Sequence, residues 1–242
     1  MITTTRNILV VDDEPDIRDT VADILNDFGY ETDTACDGPD ALAKVRSRSY
    51  DVALLDFRMP GMDGLTLFRE IRRVSPETSA ILVSAYTGDG VAEEALGSGI
   101  RRVISKPVDM NEVIAEVDRQ LERPVVLVVD DDSDFCQSIR DVLDGQGFRV
   151  SIAEDESVAV RLLDSRQPNV VLLDMKLGEG SDASVVFDAI RTSSVDTGIV
   201  LVTGHRPETE SAIKELMSNG AAAVCFKPLD VNCLIDTLQK LV

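Results

Sequence analysis
The sequence predicts an α/β protein made of two tandem doubly wound (βα)5 domains, each built on a five-stranded parallel sheet. Three observations lead there. Short apolar runs alternate with longer amphipathic stretches along the whole 242 residues. The same order of runs occurs twice, about 118 residues apart. Runs such as Val52-Ala-Leu-Leu55 are apolar on both faces, as central parallel strands covered by helices must be.

In the first copy the strand-like runs fall near 7–11, 31–35, 51–55, 80–84 and 102–105. Between the first two, Ile17, Val21, Ile24, Leu25 and Phe28 recur at helical spacing. In the second copy the runs fall near 125–129, 148–153, 169–173, 198–202 and 221–225. Asn7-Ile-Leu-Val-Val-Asp-Asp returns as Val125-Val-Leu-Val-Val-Asp-Asp, and the same offset of 118 carries Leu54-Leu55-Asp56 onto Leu172-Leu173-Asp174. It grows to 119 between Ile81–Ser84 and Val200–Thr203, and to 121 between Lys106-Pro107 and Lys227-Pro228. The small insertions therefore fall in loops. Domains are expected at 1–122 and 125–242, with 123–124 as a connector in which Pro124 stops the preceding helix. With no Gly/Ser-rich spacer between them, the copies are expected to have limited freedom.

Composition narrows the function. Hydrophobic residues make up 44% and charged residues 28%, the balance of a globular chain. Aromatics are 4% with no Trp, so the cores must be aliphatic. The net charge is −20, divided as −10 in residues 1–123 and −10 in 124–242. Such a chain repels phosphate backbones and anionic lipid, which argues against nucleic-acid or membrane-surface binding through bulk charge. No apolar run reaches the ~18–20 residues of a membrane span, and Met1–Arg6 is too polar to open a signal peptide. A cytoplasmic location is expected. Cys36, Cys136, Cys225 and Cys233 contain no C-x-x-C pair and the chain has a single His, so neither a zinc site nor a disulfide framework is indicated. Each Cys lies in or beside an apolar run and is expected to be a small buried hydrophobe.

In doubly wound sheets the functional site lies at the carboxyl ends of the strands. There the first copy places Asp12-Asp13, Asp56, Ser84 and Lys106-Pro107; the second places Asp130-Asp131, Asp174, Thr203 and Lys227-Pro228. Each set holds three carboxylates, a hydroxyl and an ammonium. Three close carboxylates either raise a pKa or recruit a cation, and oxygen-only ligands suit Mg²⁺ or a similar hard ion. A metal-supported Asp can also act as a nucleophile towards phosphorus, with the Lys and hydroxyl on the phosphoryl oxygens. An acidic pair at a strand end could alone be a helix cap. Five positions recurring in order in both copies make that insufficient.

These residues resemble the receiver domains of bacterial two-component response regulators, over nearly the whole chain and twice. The resemblance implies a flavodoxin-like fold for each copy, with Asp56 and Asp174 as phosphoacceptors. It implies Mg²⁺ held by the side chains of Asp13 and Asp131, by Asp12 and Asp130 through water, by the acceptors, and by the backbone carbonyls of Arg58 and Lys176. Ser84 and Thr203 look like the hydroxyl that swings onto the phosphoryl group, Lys106 and Lys227 like its paired cation, with a cis bond to the following Pro typical of the family. The implied donor is a histidine kinase or a histidine phosphotransfer protein, since the chain holds no segment like a phosphorylated-His helix.

The departures are specific. Receivers often carry an aromatic residue three positions before the Lys, where this chain has Val103 and Val224. The loop Met59-Pro-Gly-Met-Asp-Gly64 fits the family, whereas Leu177-Gly-Glu-Gly-Ser-Asp182 lacks the Pro and is expected to be more flexible. Around the site Glu14, Arg58, Tyr86, Asp132, Lys176 and His205 are candidates for tuning. In particular Arg58 and Lys176 are expected to pair with Glu14 and Asp132 above it, and His205 to stand at its mouth.

The expected function is a two-receiver regulator without an output domain that signals through protein contacts, as relay, phosphate sink or adaptor. Pairing with a second copy stays open, as does a larger regulator with a C-terminal output domain. A Mg²⁺-dependent aspartyl-phosphate phosphohydrolase is disfavoured. Haloacid-dehalogenase-like enzymes need D-x-D on the first strand, and here the pair is adjacent. A dinucleotide site is disfavoured too, because no G-x-G-x-x-G follows a first strand.

Overall fold
The computed structural model describes residues 6–85, 89–178, 183–193, 196–204 and 210–242. It divides into two compact units, Met1–Glu122 and Arg123–Val242. The first runs β1 (Asn7–Val11), α1 (Pro15–Asp27), β2 (Glu31–Ala35), α2 (Gly38–Ser47), β3 (Val52–Asp56), α3 (Gly64–Val74), β4 (Ser79–Ser84), α4 (Asp89–Gly97), β5 (Arg102–Ser105) and α5 (Met110–Leu121). The second runs β6 (Val125–Val129), α6 (Ser133–Gly145), β7 (Arg149–Ala153), α7 (Glu156–Arg166), β8 (Val170–Asp174), α8 (Ala183–Ser193), β9 (Gly198–Thr203), α9 (Glu210–Ser218), β10 (Ala223–Phe226) and α10 (Val231–Gln239).

Each sheet is five-stranded and parallel, in the orders β2-β1-β3-β4-β5 and β7-β6-β8-β9-β10. This is the doubly wound fold the sequence predicts, in both units. From β1 the chain steps to β2 on one side and then returns to β3 on the other, and β6 does the same. Strand order therefore reverses beside β1 and β6, and a crevice opens at their carboxyl ends.

Alternate residues of the central strands feed opposite cores. Leu9, Val11, Leu55 and Leu82 pack with Leu42, Leu67, Phe68 and Ile71 on one face of the first sheet. Ile8, Val10, Leu54 and Ile81 pack with Val21, Leu25, Val113 and Val117 on the other. In the second unit Leu127, Leu173 and Leu201 meet Leu163, Phe187 and Ile190, while Val128, Leu172 and Val200 meet Ile139, Leu143, Leu234 and Leu238. Every residue of β3 and of β8 is buried, and each of these strands ends on an Asp.

Among the described residues six aspartates, three per unit, start helices by accepting a backbone N–H at the N-cap: Asp37, Asp63, Asp109, Asp132, Asp155 and Asp230. Part of the acidic excess thus has a local structural use. A second shared device ties α3 and α8 to the turn before the last strand of their unit, and α8 also to the residue before β9. Arg72 lies over the ring of Phe68 and donates to the Ser98 carbonyl, and Arg191 lies over Phe187 and donates to the carbonyls of Thr197 and Gly220.

The structure corrects two expectations. Phe28 is 61% exposed, because α1 ends at Asp27 and the chain turns through Gly29 at φ 94°. Cys36 and Cys233 are exposed, and only Cys136 is fully buried. Cys36 follows the last residue of β2, and Cys233 sits one helical step from buried Leu234, which turns it outwards. Arg123 hydrogen-bonds the carbonyls of Gly147 and Phe148.

Phe187→Ala should cost about 3–5 kcal/mol of the second unit's stability by urea denaturation, since the ring is 1% exposed. Burial pushes the Cys136 thiol up to about 12, with the Asp130 charge adding to it. Iodoacetamide at pH 8 should therefore modify Cys36 and Cys233 in the native chain and reach Cys136 only in denaturant, as peptide mass mapping will read.

Candidate functional site
At the strand ends Lys106 meets Asp12 and Asp56 in the first unit, and Lys227 meets Asp130 and Asp174 in the second. In the first, Asp12, Asp56 and Ser84 are buried. Lys106 Nζ reaches in to lie 2.8 Å from Asp56 Oδ1, 3.0 Å from Asp12 Oδ2 and 3.7 Å from Glu14 Oε1. The Arg58 N–H donates to Asp56 Oδ2 at 3.0 Å, and the Glu14 N–H to Asp12 Oδ1 at 2.9 Å. The Lys106 N–H donates to the Ser84 carbonyl, which continues the β4–β5 pairing and sets the lysine across the end of the sheet.

The second unit repeats this. Asp130, Asp174 and Thr203 are buried. Lys227 Nζ lies 2.6 Å from Asp130 Oδ2 and 3.3 Å from Asp174 Oδ1, and the Lys176 N–H donates to Asp174 Oδ2 at 3.0 Å. Both Lys-Pro bonds are cis.

Local sequence explains the placement. Asp12 and Asp130 follow strands buried between two helix layers, so they emerge at the crevice with their backbones still paired to Ala35 and Ala153. At the start of α3, a Cβ on Gly64 would stand 2.4 Å from the Asp56 carbonyl oxygen. Only glycine lets α3 begin this close to the buried Asp.

Burial raises the Asp56 carboxyl above its ordinary value; Lys106 opposes this by hydrogen bond and charge, and Asp12 adds to it. Asp174 is raised by burial and by the Asp130 charge, against Lys227. Burial alone would lower both ammonium groups, but their carboxylate partners outweigh it and hold both raised. Each group of three aspartates and one lysine keeps a surplus of two negative charges.

The donors present are all oxygen, the chemistry of a hard divalent cation such as Mg²⁺ and not of zinc or copper. In the second unit the carboxylates of Asp130, Asp131 and Asp174 bring oxygens within 4.8 Å of one another, a set that fits such an ion. Among the described residues the first unit gathers no carboxylate triplet that tightly.

The surrounding candidates divide. Glu14 turns to Lys106, as above. Asp132 is used as the α6 cap, accepting from Asp134 and Phe135 N–H. Arg58 and Lys176 are exposed on the rim. Val103 and Val224 are half-buried against the cores. Tyr86 and His205 lie outside the described residues, as do 179–182 of the second acceptor loop. One neighbour escaped the sequence reading: Phe135, whose ring centroid is 4.2 Å from Lys227 Nζ. Its signal was the mismatch with Ile17 at the offset of 118.

The chain has relatives. The response regulator receiver domain model matches residues 8–118 and 126–239. A response regulator receiver protein of Anaeromyxobacter sp. (strain Fw109-5) is 32% identical over 199 residues, covering 82% of this chain and 83% of that protein. The nitrogen assimilation regulatory protein NtrX of Azorhizobium caulinodans is 37% identical over 118 residues, covering 48% of this chain and 26% of that protein. The transcriptional regulatory protein ZraR of Escherichia coli (strain K12) is 33% identical over 115 residues, again 48% and 26%. This chain thus spans about a quarter of the length of those two regulators.

A carboxyl held above its ordinary value binds its proton more tightly folded than unfolded, so its charged form weighs against the fold. Asp56→Asn and Asp174→Asn should therefore raise the urea midpoint of their own units at pH 7 without metal. The gap should close as pH falls towards the ordinary carboxylate value, because the wild-type groups then take up the proton. No change in either midpoint would contradict the charge balance described.

Proposed function
This chain belongs to the response regulator receiver domain family and carries the domain twice, and from that premise we propose that each copy accepts a phosphoryl group, on Asp56 in the first and Asp174 in the second. The proposed domains are 1–122 and 125–242. The donor is a histidine kinase or histidine phosphotransfer protein. The observation that carries this is a buried Asp ending the central strand with a lysine ammonium 2.8 Å or 3.3 Å away, repeated in order in both units.

The acceptor carboxylate attacks phosphorus, an O–P bond forms as the donor's N–P bond breaks, and the departing imidazole takes a proton. Mg²⁺ would be held by Asp12, Asp13, Asp56 and the Arg58 carbonyl, and by Asp130, Asp131, Asp174 and the Lys176 carbonyl. When bound, it supplies charge neutralisation for the phosphoryl oxygens. Lys106 and Lys227, already at the acceptors, then pair with a phosphoryl oxygen. Ser84 and Thr203, at the ends of the neighbouring strands, hydrogen-bond another. Arg58 N–H and Lys176 N–H hold the acceptors in position, since each donates to the second carboxylate oxygen. Glu14 tunes the first site through Lys106, and Asp132 the second through the start of α6.

Signalling then passes by protein–protein contact, as relay, sink or adaptor. Half-buried Val103 and Val224 stand where an aromatic switch would be, so the signal leaves by another element. The matches to longer regulators, of which this chain spans 26%, favour a second reading in which the two receivers serve an output domain.

Acetyl phosphate or a kinase with Mg²⁺ should add about 80 daltons per phosphoryl group, two to the wild-type chain, one to Asp56→Asn or Asp174→Asn, and none to the double variant. Unlabelled wild type would overturn the reading. Steady release of phosphate from a general phosphomonoester would favour a phosphohydrolase instead.

A further inference from the structure
The two sites share residue types and order, yet their lysines stand differently. Lys106 Nζ is nearest the acceptor, 2.8 Å from Asp56 against 3.0 Å from Asp12, with Glu14 at 3.7 Å. Lys227 Nζ leans the other way, 2.6 Å from Asp130 against 3.3 Å from Asp174. What Lys227 has in addition is the face of Phe135, 4.2 Å from Nζ to the ring centroid. A phenyl face carries partial negative charge and attracts an ammonium, most strongly where water is excluded. The ring is held in place. Its backbone N–H donates to the Asp132 carboxylate at the start of α6, and its side chain packs on the apolar cluster of Val126, Val128 and Cys136. Ile17, the counterpart in the first copy, offers no such face.

We propose that Phe135 is a positioning residue that holds the Lys227 ammonium against Asp130 and off Asp174, so that the second site binds a divalent cation more tightly than the first. This role presupposes the receiver function proposed above. An ammonium close on the acceptor neutralises a carboxylate that a metal ion would otherwise use. Drawn to the ring and to Asp130, which would meet the ion only through water, Lys227 leaves Asp174 the freer of the two acceptors. It is in this unit that three carboxylates gather within 4.8 Å.

The test is a Mg²⁺ titration of the full chain by NMR, following the backbone amides of Arg58 and Lys176, each of which donates to its own acceptor. Lys176 should saturate at lower Mg²⁺ than Arg58. Phe135→Leu, apolar but without a π face, should weaken the second site about three- to tenfold and leave the first unchanged, while Phe135→Tyr keeps the wild-type value. Without metal, the Lys227 side-chain methylenes should be shifted upfield by the ring in wild type and Phe135→Tyr, and not in Phe135→Leu. If the two amides saturate together, if Lys227 shows no ring shift, or if Phe135→Leu binds as wild type, the role of Phe135 is overturned alone. If neither amide of the wild-type chain responds to Mg²⁺, the receiver function falls with it. The wild-type comparisons decide the matter even where Phe135→Leu does not fold.

Discussion

A lysine ammonium among carboxylates at the end of a parallel sheet is the interaction on which both units depend. Burying Asp12 with Asp56, or Asp130 with Asp174, sets like charges a few ångströms apart in a place where water screens them poorly. Lys106 and Lys227 reach across from the last strand to set one positive charge between each pair. The fold supplies that reach. β1 and β3 are neighbours, β4 and β5 follow, and the backbone N–H of each lysine is tied to the carbonyl of Ser84 or Thr203. The single ammonium only partly offsets the carboxylates gathered around it, so the crevice stays acidic.

The parts legible in the sequence are those fixed by repetition and periodicity. The runs that end in Asp56 and Asp174 had no polar face, so they had to be central, and whatever followed them had to emerge at the crevice. Ser84, Thr203 and the two lysines could be placed for the same reason. What stayed hidden depends on rotation and competition that one-dimensional spacing does not encode. Phe28 continued a helical stripe at the very end of α1, where the chain turns away at Gly29. Cys233 adjoined a buried leucine but pointed a third of a turn away. Asp132 and Glu14 occupy the same place in the repeat, yet the first became a helix cap and the second, beside Pro15 at the start of its helix, turned to a lysine. Whether a carboxylate caps a helix or faces an ammonium is decided by the side chains around it.

Duplication did not leave two equal sites. Three features differ together: the lean of the lysine, the gathering of the three carboxylates, and an aromatic ring where the other copy has isoleucine. They involve the end of each unit's first strand, the first turn of the helix after it, the end of the acceptor strand and the lysine after the last strand. A few side chains there are enough to set two copies apart while the sheets beneath them keep the same strand order.

The aliphatic cores carry an optical consequence. With no tryptophan in the chain, and with Tyr50 buried and its hydroxyl donating to the Asp33 carboxylate, the native protein has little near-ultraviolet emission of its own. A single indole introduced into either unit would shine against a dark background, and events in one half of the molecule could be watched without interference from the other.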